Sequence, residues 1–223
     1  FENVGAGTNV EYVGDETCAS CHEEEYHGYQ AHGMANSVYA LVDSTANAAF
    51  PSEPFYNEDG DFYYRAYRED GRFYQEEFRL NDAGEKTHHL VREMEFVVGS
   101  GSAAHTYLTD HDYRFYELPL TWYTQEQRWD FTPGYRAANS RFNRLIPDRC
   151  MACHNSYPES VPFANGKYQQ MPEGIGCERC HGPGELHADE RLVSMEAPDS
   201  IDYTIVNPAH LSLDRRMDVC QQC

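Results

Sequence analysis

Eight cysteines occur in the chain, and all of them fall into pairs of the form C-x-x-C. The pairs are Cys18/Cys21, Cys150/Cys153, Cys177/Cys180 and Cys220/Cys223. In the first three, the next residue is a histidine: His22, His154 and His181. C-x-x-C-H is the attachment signature of c-type haem. Two thiols three residues apart reach the two vinyl groups on one porphyrin edge, and the following imidazole is held beneath the iron as proximal ligand. Histidine is 11 of 223 residues, so three chance placements directly after a pair would be roughly a one-in-ten-thousand coincidence. The competing chemistries are zinc ribbons built from Cys₄ or Cys₃His sites, disulfides and iron–sulfur clusters. None of them needs a histidine at the next position each time. The fourth pair, Cys220-Gln221-Gln222-Cys223, meets the end of the sequence. The expectation is a chain that continues, with histidine next, and four covalently bound haems c.

Four six-coordinate irons require four distal ligands. Eight further histidines are available: His27, His32, His88, His89, His105, His111, His187 and His210. Context favours four of them. His32 lies on a stretch that reads as helical over 23–42, facing away from the first attachment pair. His187 follows Gly182-Pro183-Gly184, which turns the chain past a macrocycle edge. His105 follows the flexible run 99–102, which permits close approach to a cofactor. His210 sits in Asn207-Pro208-Ala209-His210, shortly before the fourth pair. His88 and His89 are adjacent on an expected strand, so at most one points inward; His27 and His111 read as solvated. Met34, Met151 and Met217 lie near the pairs and could ligate iron, but abundant histidine favours bis-His, low-spin sites suited to electron transfer.

The elements that must position these groups are uneven along the chain. One attachment site lies near the N-terminus and three follow residue 150. The expected organisation is a haem 1 segment at 1–50, a β-rich insert at 51–135, and a haem 2–4 segment at 136–223. Phe62–Tyr67 and Phe73–Phe78 are aromatic runs joined across Asp70-Gly71, a hairpin signal. Residues 90–98 and 113–123 read as further strands, with Tyr116, Leu118, Leu120 and Trp122 on one face; 125–131 could add another. The region from 150 onward reads as short helices and loops with too little aliphatic content for a core of its own. The fold class is therefore α+β with much irregular structure, organised around four haems, with an antiparallel insert between haem 1 and haems 2–4.

The formal net charge is −20, and Lys86 and Lys167 are the only lysines. Such a surface repels nucleic acid and anionic lipid and attracts cationic partners. No run approaches the roughly 20 apolar residues of a membrane span, and Phe1 opens a polar segment without the character of a signal peptide, as in a mature form or an excised piece.

Several stretches resemble the bacterial multihaem cytochromes related to cytochrome c554, the tetrahaem or tetratricopeptide-linked group. They are Tyr12-Val13-Gly14 leading into Cys18–His22; Gly99-Ser100-Gly101 with Thr106-Tyr107-Leu108; Leu118-Pro119 through Trp122-Tyr123; Trp129 through Pro133-Gly134-Tyr135; Cys150–Asn155; Cys177–Gly184 with His187; and Asn207-Pro208. The resemblance implies an exported protein with covalent haem c that passes electrons, with His32 and His187 as distal ligands. In the family pattern a histidine falls closer to Gly-Ser-Gly; that place here is Ala103, so the resemblance does not extend to His105.

The leading expectation is an electron carrier and not an enzyme, periplasmic or extracellular, whose partners are other redox proteins or further copies of itself. A multihaem reductase would need an open iron site and a cationic pocket, for which Arg141, Arg144 and Arg149 are the nearest residues. Binding haem propionates is the favoured role for those arginines. A subunit of an extracellular filament is the third possibility.

Overall fold

The computed structural model describes residues 1–4, 9–50, 52–136, 138–171, 174–193 and 201–223. Its strands are β1 (Val38–Ala40), β2 (Phe55–Asn57), β3 (Phe62–Glu69), β4 (Arg72–Leu80), β5 (Lys86–Glu93), β6 (Phe96–Val98), β7 (Ala104–Asp110), β8 (Phe115–Glu117), β9 (Leu120–Tyr123), β10 (Arg128–Phe131) and β11 (Arg144–Leu145). The helices are α1 (Asp15–Ala19), α2 (Glu23–Gln30), α3 (Asp148–His154), α4 (Glu178–His181), α5 (Glu185–Val193) and α6 (Leu213–Cys220).

β2–β5 form a four-stranded antiparallel meander. Its central hairpin turns at Asp70 and Gly71, both at positive φ (49° and 78°), the backbone that a two-residue turn between twisted strands demands. Cross-strand aromatic pairs knit it, with Tyr63 on Phe78 and Tyr67 on Tyr74, each at 5.4 Å between ring centroids. The second sheet runs β1-β6-β7-β8-β11, with β9 continuing past β8 along the same edge of β7 and β10 beside β9. Strands at 38–40 and 144–145, outside the expected insert of 51–135, thus pair into it.

The two sheets enclose an apolar cluster including Tyr64, Phe73, Met94, Tyr107, Leu118, Leu120, Trp122 and Phe131. Buried Gln75 bridges them. Its Nε2 donates to the Leu120 carbonyl and its Oε1 accepts from the Leu120 amide, both at 2.8 Å. A second cluster, Leu108, Phe115, Met151 and Tyr168, packs the second attachment helix α3 onto the sheet.

Three expectations change. The strand expected over 90–98 is two strands in different sheets: the Met94 amide donates to Phe73 in the first sheet, and the Glu95 amide to Leu108 in the second. The Glu95 carboxylate secures the crossing by accepting from the Asp110 amide at 2.5 Å. The strand expected over 113–123 is broken at Leu118-Pro119 into β8 and β9, because proline has no N–H for the ladder. The helix expected over 23–42 stops at Gln30. There the Asn36 side chain donates to the Gln30 and His32 carbonyls at 2.7 and 3.0 Å, taking up carbonyls that the helix end leaves free. Val38 then pairs with Val98 as a strand.

Candidate haem-attachment sites

Each complete C-x-x-C-H run is wound into a helical turn. The His22 amide donates to the Cys18 carbonyl at 2.9 Å, and the His181 amide to Cys177 at 3.1 Å; α3 carries Cys150, Cys153 and His154 in one helix. Helical spacing at i, i+3 and i+4 places both thiols and the imidazole on one face. That arrangement suits a porphyrin edge and the metal at its centre. Among the described residues, no group of three or more His, Cys, Asp or Glu gathers closely enough to hold a metal ion by itself. None of the eight cysteines is joined to another in a disulfide.

The four pairs adjoin one another. The Cys18 and Cys177 thiols hydrogen-bond, which lowers the pKa of Cys18 and raises that of Cys177; thioether formation would abolish both titrations. Cys180 is pushed up by burial and by the neighbouring Cys220 and Cys223. The Gln222 side chain donates to the Arg179 carbonyl at 2.9 Å, and Cys153 Sγ lies 3.7 Å from the Cys223 carbonyl. The third motif therefore adjoins the first and the fourth, and the second adjoins the fourth and, through Ser156 and Gly174, the third.

Two of the histidines in question bring their rings close together and nearly parallel. The rings of His22 and His187 lie 6.1 Å apart between centroids and 21° from parallel. Two imidazole–metal bonds of about 2 Å each, plus the ring radii, span roughly that distance. The outer nitrogen of His187, Nδ1, bonds the Asp202 carboxylate at 3.0 Å. Arg191 donates to the same oxygen at 3.0 Å. His181 Nδ1 bonds the Val206 carbonyl at 2.7 Å. Ligating histidines commonly donate their second ring N–H to a carboxylate or a backbone carbonyl, which fixes the ring and leaves Nε2 for the metal. These residues fit haem iron.

The other expected ligands are placed less directly. His32 is exposed, its ring 5.9 Å from that of Tyr29, and its Nδ1 accepts from the Met34 amide at 3.1 Å. In the neutral ring this leaves the proton on Nε2, so ligation through Nε2 requires that bond to open. His105 lies within β7, 1% exposed, with Nε2 against the Tyr39 hydroxyl at 3.2 Å and Nδ1 without a partner; burial lowers its pKa. Gly101 lets the loop pass over it, since a Cβ there would sit 2.6 Å from Nε2. His210 ends a 3-10 turn, exposed, just before α6. His89 bonds buried Glu76 at 2.6 Å, while His27 pairs loosely with Glu23 at 3.8 Å. Met151 is buried, and Met34 and Met217 are each 47% exposed.

Two of the three arginines considered for a substrate pocket are engaged elsewhere. Arg141 pairs with fully buried Glu77, and Arg144 with Glu117 at 2.6 Å. Asp202 and the Val206 carbonyl were not legible beforehand, because they lie far along the chain from the motifs they serve and carry no local signature.

The family described as "Cytochrome c554 and c-prime" matches residues 125–182, about a quarter of the chain, including two complete C-x-x-C-H motifs. The similarity supports covalently bound haem c and electron transfer in general. No curated protein matches the chain significantly. A solved structure titled "Crystal Structure of Outer Cell Wall Cytochrome OcwA" aligns with a TM-score of 0.48 at 17% identity, over 86% of this chain and 35% of that one. The chain thus spans about a third of that protein's length. Among the described residues, no helix is long and apolar enough to cross a membrane.

Proposed function

We propose that the chain is a tetrahaem c-type cytochrome that carries electrons through closely spaced, mostly bis-His, low-spin haems. The observation that carries this reading is the closely set pair His22 and His187, 6.1 Å apart between ring centroids, with Asp202 bonded to the second ring. The bound haems would supply reversible one-electron iron chemistry. The chain's own residues do the rest. Cys18 and Cys21, Cys150 and Cys153, Cys177 and Cys180, and Cys220 and Cys223 would anchor the four groups. His22, His154 and His181 would serve as proximal ligands, with His187 opposite His22. His32, His105 and His210 are the remaining distal candidates. Adjacency of the four motifs supports transfer from one site to the next with no substrate or proton involved.

The commitment of Arg141 and Arg144 to carboxylates favours a carrier over a reductase. Because haem c is attached outside the cytoplasmic membrane, the protein belongs in the periplasm or at the cell exterior, and its acidic surface favours cationic redox partners. The test is a pyridine haemochrome assay with oxidised and dithionite-reduced spectra of the holoprotein. Four covalent haems with a sharp low-spin α-band are expected. A haem that turns out high-spin and binds cyanide or nitrite would replace the carrier with an enzyme.

A further inference from the structure

The helices that bear the first and third attachment motifs have almost nothing apolar to hold them. α1 and α2 contain no buried residue, and the buried residue of α4 is a carboxylate, Glu178. Its oxygens are fully used by backbone donors of another segment and of the following turn. Oε1 accepts from the Val13 amide at 2.9 Å and the Gly184 amide at 2.7 Å, and Oε2 from the Gly14 amide at 2.8 Å. The relationship is returned from the other side: Asp15 Oδ1, three residues before Cys18, accepts from the Cys177 amide at 2.9 Å. Each motif thus contributes one carboxylate that caps the backbone of the other.

The surroundings are shaped for this exchange. A Cβ at Gly176 would lie 2.5 Å from Asp15 Oδ1, and one at Gly184 would lie 3.1 Å from Glu178 Oε1 and 2.9 Å from the Val13 side chain. The rest of the N-terminal segment continues the same seam. Asn3, 1% exposed, donates to the His181 and Pro183 carbonyls, both at 3.0 Å. The Glu11 amide donates to the Glu185 carboxylate at 2.9 Å.

We propose that Asp15 and Glu178 form a reciprocal clasp that fixes the first attachment motif against the third and so sets the coupling between the two irons those motifs hold. The proposal rests on the haem reading above and adds two positioning residues to it. Electron tunnelling falls exponentially with separation, so a clasp with little slack controls the rate between these sites without touching either iron. Charge-assisted hydrogen bonds, here to amides that are mostly only part-buried, are the stronger kind. They supply here the rigidity that apolar packing supplies elsewhere in the chain.

The variants are Asp15→Ala, Asp15→Asn and Glu178→Gln in the holoprotein. Asn keeps the acceptor oxygen of Asp15 and removes only the charge. Gln must turn an N–H₂ group toward at least one backbone donor. Three readouts are taken: haem per chain, the spin-coupled part of the fully ferric EPR signal, and amide hydrogen exchange at Val13, Gly14 and Cys177. Asp15→Ala and Glu178→Gln are expected to keep their haem complement and low-spin α-band, to lose the coupled signal, and to exchange about tenfold faster or more at these amides. Asp15→Asn should fall between the parent and Asp15→Ala, because the acceptor oxygen remains and the charge does not. Parent-like coupling and exchange in both disruptive variants would overturn the clasp, as would loss in Asp15→Asn equal to that in Asp15→Ala. Should Glu178→Gln fail to mature, the two Asp15 variants decide. Absence of haem from the parent chain would sink the electron-carrier reading instead, and amide exchange in the apo chain would still test the clasp.

Discussion

Replacing Asp202 by Asn should raise the midpoint potential of one haem. Asp202 Oδ2 lies 3.0 Å from His187 Nδ1, and the side chain is 19% exposed. Its negative charge makes the imidazole a stronger donor and favours the ferric state. Loss of such a partner typically costs about 10- to 100-fold in metal binding. If that loss falls mainly on the ferric form, about 59 mV per tenfold for one electron gives about 60–120 mV. Arg191 shares Oδ2 at 3.0 Å and Thr204 holds Oδ1 through its amide at 2.9 Å. Part of the charge is therefore already compensated, and the lower end, about 60 mV upward, is expected. Spectroelectrochemical titration of the Asp202→Asn holoprotein, resolved by haem, measures it. A shift below about 20 mV in every haem, or a downward shift, with haem content and α-band intact, would refute His187 as a ligand tuned by this carboxylate.

Removing the imidazole itself is the sharper companion: His187→Ala should keep all covalent haem yet gain one high-spin, cyanide-binding site, visible in the ferric spectrum. Arg141→Ala strands the fully buried Glu77 carboxylate. It should cost about 3–5 kcal/mol in denaturant unfolding of the sheets while leaving the midpoint potentials unchanged. Glu76 is pushed up by burial, but hydrogen bonds from Lys86 and His89 and the charge of Arg65 outweigh this and hold its pKa below the usual carboxylate range. A depressed folded pKa contributes stability that is present above the unfolded value of about 4.3 and is lost as pH falls through the folded one. Acid unfolding followed by near-UV circular dichroism should therefore begin below about pH 4, and Glu76→Gln should flatten that dependence.

The attachment chemistry was legible in the linear sequence because it is local. Thiol, thiol and imidazole are fixed at i, i+3 and i+4 by adjacency in the chain, and a single helical turn suffices to present them. The Asp70-Gly71 hairpin was legible for the same reason: its turn dictates the backbone at two neighbouring residues. The tertiary structure decided everything that joins distant segments. His22 and His187 lie far apart in the chain, and only the fold brings their rings within 6.1 Å of each other. The stretch from 90 to 98 gives no sign that the chain changes sheets between Met94 and Glu95, since both halves have the same strand character and only their partners differ. His105, which follows a flexible run, is enclosed in β7 against Tyr39. Burial depends on what the rest of the fold lays over a residue, and no local pattern carries that information.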